Sequence, residues 1–483
     1  MPSINGTGDS RNIEVVSAED ARDIHLNIRG DLQHPEDLQW FNFEMEGTAG
    51  EEYVMHIDNA HAVRFTGWNA HDVSFQTSVS YDEGNTWSYI STTYDESVPE
   101  EARKLTMHFT MPEGHTKAQF AFFPPYSYAK HLELIELAKA EAAKEASLWT
   151  VTSLGKTKEA PKPKTSWGFR SATAQTEPGR DITMITIGKP GPEKKNIVIA
   201  ARQHPGEPQA EWYMDGLINR LIASMPEHAD LFEHVVLHLV PNMNPDGTFD
   251  GNLRTNGKGN DLNRQWQTAS IAESPEVYYL LKAMCDMGGV SLFLDIRSDE
   301  EIPSGAFLDL GHRNCVTPDD AMQAVEDALL AAFLEHPDTQ DTLTYPKDKV
   351  RDVSNLAFSN AYMAESFKCP AVILEMPTKD WTVEKCQSLG ADVLRLIRQM
   401  LSMLPMPKPV EVVVAPEPVQ PQVQGAGGFS FSAMLGRSNA SAKGQPAPTS
   451  SSAQEGIAVE EVALTTNNTE ALVPPLSACC TMS

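Results

Sequence analysis

The stretch from Asn196 to Ile222 narrows the fold more than any other. Asn196-Ile-Val-Ile-Ala-Ala201 is a compact apolar run rich in β-branched residues. Such a run predicts a buried strand. From Pro208 to about Ile222 the apolar residues fall at helical spacing, and proline suits a first helical position. Between strand and helix lies His204-Pro-Gly-Glu207. The Pro205-Gly206 pair forces a tight turn and keeps side-chain bulk away from the backbone. An imidazole and a carboxylate three residues apart on that turn make two-thirds of a His₂Glu metal site. Taken alone, the pair is better explained as a polar surface turn; the rest of the chain shifts that balance.

The strand-then-helix pattern repeats. Ile182–Ile187, Asn196–Ala201, His234–Val240, Ser291–Ile296 and Ala371–Glu375 read as strands. Pro208–Ile222, Pro275–Cys285, Pro318–Leu334 and Val383–Leu404 read as helices. This alternation predicts an α/β domain over residues 126–404, with a mostly parallel, mixed sheet flanked by helices. Ligands of such sheets bind beyond the carboxyl ends of the strands. His204, Asn242, Arg297 and Glu375 all fall at or just past predicted strand ends.

Residues 35–125 follow a different rhythm. Phe41–Met45, Tyr53–Ile57, Ser74–Ser80, Thr86–Ile90 and Leu105–Met111 are short alternating runs, and Asp82-Glu-Gly-Asn85 is a hairpin signal. They predict an antiparallel β-sandwich, read first as a packing module beside the α/β domain. Pro124-Pro125-Tyr126 ends it, and a helix is predicted over His131–Leu148. Residues 1–34 read as a polar, partly loose segment. Residues 405–483, rich in Pro, Val, Gln, Ser, Ala and Gly without periodicity, read as a disordered tail.

Charge and cysteine usage exclude some functions. The formal charge of -28 argues against a nucleic-acid partner, which would need a basic footprint. No apolar run is long enough to span a bilayer, and Met1-Pro2-Ser3 does not open a signal region. The six cysteines include no Cys-x-x-Cys pair, as expected of a reduced, cytoplasmic chain with free thiols. Cys480-Thr-Met-Ser483 fits a prenylation pattern, and Cys479 beside it is a second acylation candidate. Lipid there would bring the C-terminus to a membrane.

Further polar residues cluster in the loops after His234–Val240. Arg254 and Arg264 are forks suited to oxyanions, and Asn263 adds a neutral amide donor. The bland alternative pairs these arginines with Asp246, Asp250 or Asp261. Glu375 ends an otherwise apolar strand, which makes it a candidate general base.

The ordered set His204-Pro-Gly-Glu207, Pro241-Asn-Met-Asn-Pro-Asp-Gly247, Gly251-Asn-Leu-Arg254, Asp261-Leu-Asn-Arg264, Ser274-Pro-Glu276 and Leu374-Glu-Met-Pro377 resembles the zinc metallocarboxypeptidases, in their cytosolic carboxypeptidase branch. The preceding sandwich and Pro124-Pro-Tyr-Ser127 resemble that branch too. The resemblance covers roughly residues 35 to 404. It implies one Zn²⁺ ion held by His204 and Glu207. It implies Arg254 on the oxyanion, Asn263 and Arg264 on the substrate's terminal carboxylate, and Glu375 activating water. Peptide or protein C-terminal tails would be the partners. Tyr362 is the candidate for the tyrosine that the resemblance implies near the scissile bond.

One position departs from the family. Where the resemblance implies a third ligand His, the chain reads Leu294-Asp-Ile-Arg-Ser-Asp-Glu300, with Arg297 at that place. A guanidinium stays protonated and only donates, so it cannot coordinate a cation. His312, Asp299 and Glu300 are the substitutes available in sequence. The alternative is a pseudo-peptidase, with Arg297 paired to Glu207 or Glu375 and C-terminal carboxylates bound without cleavage.

Overall fold

Short alternating strands at the start of the chain build two sheets. They are β1 (Ser3–Asn5), β2 (Ile13–Ser17), β3 (Ile24–Ile28), β4 (Asn42–Glu46), β5 (Glu52–Ile57), β6 (Thr77–Ser80), β7 (Ser88–Ile90), β8 (Thr92–Tyr94), β9 (Leu105–Thr110) and β10 (Lys117–Ala121). The computed structural model describes residues 1–63, 68, 75–157, 179–299, 302, 305–314, 319–344, 356–378 and 381–410. One sheet has the order β1-β4-β10-β6-β7 and the other β2-β3-β5-β9-β8. Phe43 and Phe120, cross-strand neighbours in the first sheet, stack at 5.1 Å, and Phe109 of the second sheet meets Phe120 edge-on at 4.9 Å. The predicted hairpin forms: β6 and β7 pair antiparallel, and Asp82 accepts from Thr86 N at 2.8 Å.

Residues 1–34 are not a loose leader. They supply β1, β2 and β3, the last paired parallel to β5. Their strands are short and flanked by Asp, Asn and Gly, so apolar alternation is too brief to stand out in sequence. Ile24, Leu26 and Ile28 nevertheless fill the sandwich core.

After the proline break, Ser127 caps α1 (Tyr128–Ala142) by accepting from Lys130 N at 3.1 Å. The second domain then runs through β11 (Trp149–Lys156), β12 (Asp181–Ile187), β13 (Lys195–Ala201), α2 (Gln209–Ser224), β14 (Val235–Val240), α3 (Pro245–Asp250), α4 (Pro275–Asp286), β15 (Leu292–Asp299), β16 (Phe307–Leu310), α5 (Asp320–Phe333), β17 (Leu343–Thr344), α6 (Ser359–Tyr362), β18 (Ala371–Pro377) and α7 (Val383–Met400). Its eight-stranded sheet has the order β11-β12-β14-β13-β15-β18-β16-β17. The centre, β14-β13-β15-β18, is parallel, while β11-β12, β12-β14 and β18-β16 are antiparallel.

Both faces of the centre are buried. Ile197, Ile199, Leu292, Leu294 and Ile296 face the core shared with α2, α5 and α7. Val198, Ala200 and Phe293 face the core built with α4 and α6. By strand alternation, Asp295 and Arg297 lie on the same face as Phe293. The β15–β18 register sets Arg297 directly beside Glu375.

Among the described residues no helix is long and apolar enough to cross a membrane, and Cys285, Cys369 and Cys386 form no disulfide. Glu300, Cys315, Cys479, Cys480 and the tail beyond residue 410 lie outside the described residues.

Candidate active site

The turn after β13 is built around a buried cation. Arg202 holds φ +59°, a left-handed conformation uncommon for a residue with a side chain. Its buried guanidinium fixes that conformation. Nε donates to Pro205 O at 3.1 Å, and Nη1 donates to Tyr126 O and to Glu211 Oε2, the latter at 2.6 Å. Glu211 also bonds His131 at 2.6 Å and accepts from Asn242 at 3.0 Å. The turn, α1, α2 and the β14 loop are therefore locked together below the site. Asn244 completes the lock by donating to Gln203 O at 3.0 Å and accepting from Gly247 N at 3.1 Å.

This frame aims His204 and Glu207 at each other. His204 Nδ1 lies 2.5 Å from Glu207 Oε1, and Nε2 lies 3.0 Å from Asp261 Oδ1. Asp261 thus orients the imidazole from behind, as an outer carboxylate does for a metal-binding histidine. Burial pushes the Asp261 pKa up, but His204 and then Arg254 outweigh it and hold the carboxyl well below its usual range. Arg254 Nε donates to Asp261 Oδ2 at 2.7 Å, so the bland pairing holds for this arginine. Glu207 and Arg297 both lie close enough to perturb Arg254.

Asn263 is buried and accepts from Ser359 N at 3.1 Å. Arg264 sits at the rim. Its guanidinium lies 4.4 Å over the Phe358 ring, and its side chain is 44% exposed. Of the two arginines, Arg254 is the more buried, with a side chain 17% exposed.

Arg297 is the least expected element. It is 2% exposed. It pairs with Asp295 rather than with Glu207 or Glu375: Nη2 lies 2.5 Å and Nε 2.9 Å from Asp295 Oδ2. The same oxygen accepts from Ser359 Oγ at 2.6 Å and Gln203 Nε2 at 2.6 Å. Gln203 in turn accepts from Trp266 Nε1 at 3.0 Å. Burial disfavours the charge on Arg297, yet Asp295 more than offsets it and raises its pKa above the usual guanidinium value. Glu375 stands beside it on β18. Burial, followed by the charge of Asp299, pushes the Glu375 pKa well above the ordinary range, against the pull of Arg297.

Several sequence candidates fall elsewhere. His312 Nε2 bonds Cys369 O at 3.0 Å, just before the start of β18 and at the opposite end of that strand from Pro377, so it cannot replace a ligand beside His204. Tyr362 packs in the core against Trp266, with centroids 6.3 Å apart. Asp299 stays near Glu375. The residues missed in sequence are Asp295, Gln203 and Ser359. Only their position near strand ends and motifs could have pointed to them.

The donor set can be tested against a divalent cation. His204 Nδ1 and Glu207 Oε1 converge, but the third position carries a guanidinium. Among the described residues no group of three His, Cys, Asp or Glu is arranged to hold a metal ion. The residues present do not fit a three-ligand zinc centre.

The family model for the cytosolic carboxypeptidase N-terminal domain matches residues 4–123, and that for zinc carboxypeptidase matches residues 170–277. The second match ends before β15, the strand that carries Arg297. A metallo-carboxypeptidase from Burkholderia cenocepacia is 30% identical, covers 83% of this chain and 99% of its own, and superposes with a TM-score of 0.70. The metallo-carboxypeptidase from Pseudomonas aeruginosa, solved in complex with (2-guanidinoethylmercapto)succinic acid, is 32% identical over 83% and 99% of the two chains, with a TM-score of 0.69. Human cytosolic carboxypeptidase 2 is 24% identical over 305 residues, which span 59% of this chain and 32% of that longer protein. With a sandwich, a mixed sheet and a His-x-x-Glu turn in the matching order, the chain belongs to the zinc carboxypeptidase family, in its cytosolic carboxypeptidase branch.

Proposed function

We propose that this chain takes the C-terminal tails of peptides or proteins into the cleft beside His204, with Asn263 and Arg264 on the terminal carboxylate. In this reading Arg254 faces the carbonyl of the last peptide bond, and Glu375 is the carboxyl poised to exchange a proton with water. Carboxypeptidase activity is low in the chain as it stands, because Arg297 fills the third ligand position and leaves zinc only two donors. The observation that carries the reading is the convergence of His204, Glu207, Arg254, Arg297 and Glu375 at the carboxyl ends of β13, β15 and β18. The succinic acid derivative bound by the Pseudomonas relative supports a carboxylate as ligand.

A second reading, binding without cleavage, is favoured by the Arg297–Asp295 pair. Arg297 is not a loose side chain able to swing out of a metal's way; four polar contacts converge on the Asp295 oxygen that holds it. Metal analysis of the purified protein, run with a carboxypeptidase assay and a peptide-binding measurement, tests both. Free-acid peptides bind and amidated ones do not if the cleft reads the terminal carboxylate. Stoichiometric zinc with brisk hydrolysis would overturn the low-activity reading. Equal binding of both peptide forms would overturn carboxylate recognition.

A further inference from the structure

The loop that carries Arg254 is held in part by the other domain. Asp31, in the bend after β3, is 4% exposed. Its carboxylate accepts from Leu253 N at 2.7 Å, Arg254 N at 2.8 Å, Thr255 N at 2.7 Å and Thr255 Oγ1 at 3.0 Å. Neighbouring contacts follow the same direction. Ser10 N donates to Phe249 O at 2.9 Å, Arg29 Nη2 to Asp250 O, and Gln33 Nε2 to Lys258 O at 2.9 Å. The two backbones also touch where only glycine fits. Gly251, at φ +72°, would place a Cβ 2.8 Å from Arg11 O, and Gly259, at φ +87°, 2.6 Å from Leu32 O.

Three successive N–H groups on one carboxylate fix both the place and the orientation of a segment. Hydrogen bonds to an ionised acceptor are about twice as strong as neutral ones. Arg254 is the middle residue of the three. Its side chain then reaches Asp261, which orients His204.

We propose that Asp31 is a positioning residue for Arg254, so that the sandwich domain sets the geometry of the cleft rather than only packing beside it. The functional arm of this inference rests on Arg254 facing the bound peptide; the structural arm does not.

The test uses the full chain. Asp31→Asn keeps the shape but turns an amide donor toward the loop's N–H groups. Hydrogen exchange of the segment 251–257 should quicken by about tenfold or more, with β13 and β15 unchanged. Affinity for a free-acid peptide should fall roughly threefold to tenfold, as expected for losing hydrogen bonds of this kind. The double variant Asp31→Asn/Arg254→Ala should bind no more weakly than Arg254→Ala alone, since residues acting through one another do not add. Unchanged exchange in 251–257, or additive losses, overturns the proposal. If Arg254→Ala leaves affinity unchanged, the functional reading of Arg254 fails, and exchange alone decides the role of Asp31. Should Asp31→Asn fail to fold, Asp31→Glu and Thr255→Val, the latter removing only the Oγ1 bond, provide the same readouts.

Discussion

At position 297 a guanidinium stands where the family resemblance implies an imidazole, and the consequence is electrostatic before it is steric. Unit charges 4 Å apart at an effective dielectric of 20 interact by roughly 4 kcal/mol, and a zinc ion carries two charges. Arg297→His removes that repulsion and supplies a donor beside His204 and Glu207. The expected outcome is a strong rise in zinc bound per chain, read by metal analysis, and hydrolysis of free-acid peptides that rises with it. A wild type that already holds stoichiometric zinc, with activity the variant does not increase, would show that another residue has taken the ligand's place. Arg264 allows a second prediction at the same scale. It sits at the rim, stacked on Phe358, and is the more exposed of the two cleft arginines. Arg264→Ala should cost about 1.5–3 kcal/mol in binding a free-acid peptide, the range for a charge-assisted bond, and leave amidated peptides unaffected. Calorimetric titration with the paired peptides separates this from a structural loss, which would weaken both.

Single strands decide how these residues meet. β15 is apolar on one face and carries Phe293, Asp295 and Arg297 on the other, so the acid and the base that pair lie two residues apart on one side of one strand. Asp295→Asn would leave Arg297 buried with its counter-charge gone. Breaking a buried pair in this way costs on the order of 3–5 kcal/mol, far more than an exposed pair. Urea unfolding should show a midpoint lowered accordingly, and a shift no larger than that of a surface substitution would mean that Arg297 finds another partner. The same strand shows what the sequence makes legible. β13, β14, β15 and β18 are buried on both faces, so they read as continuous apolar runs and stand out. The site residues near their ends stand out with them: Glu375 interrupts an apolar run, Arg297 follows Ile296 at the end of one, and His204 lies just beyond Ala201. β1, β2 and β3 did not stand out. β2, Ile13-Glu-Val-Val-Ser17, buries only Ile13 and exposes Val15 and Val16, so it lacks the apolar–polar alternation that marks a strand. Partner choice was legible least. The i, i+2 spacing puts Asp295 beside Arg297, but the choice of Asp295 over Glu207 is made only in the folded chain, and Asp31 beneath Arg254 is a contact between domains that no local spacing encodes.

At the scale of the molecule, the sandwich and α/β domains share one hydrophobic core cluster that runs from Phe43 and Trp68 to Leu217 and Ile397. Buried carboxyls tie this stability to pH. Glu276, at the start of α4, is buried, and burial raises its pKa to about 8. Its oxygens accept from Asn256 at 3.4 and 3.2 Å, which links α4 to the loop that follows Arg254. The sign follows from the direction of the shift. A carboxyl whose folded pKa is raised contributes stability that is fully present below its unfolded value and is lost as pH rises through the folded one. Asp31, raised by burial to about 6, acts in the same sense over a lower window. The net charge of -28 adds self-repulsion that also favours unfolding as pH rises. These effects separate by comparison. Glu276→Gln keeps the size and the bond to Asn256 while removing the titration. Between about pH 5 and 8 the wild type should lose stability more steeply than the variant, by up to about 1.4 kcal/mol per pH unit, the slope for one proton. Urea unfolding of both proteins across that range measures the difference directly. Repulsion and Asp31 contribute equally to the two curves, so parallel slopes would mean that Glu276 is already ionised in the folded chain at neutral pH.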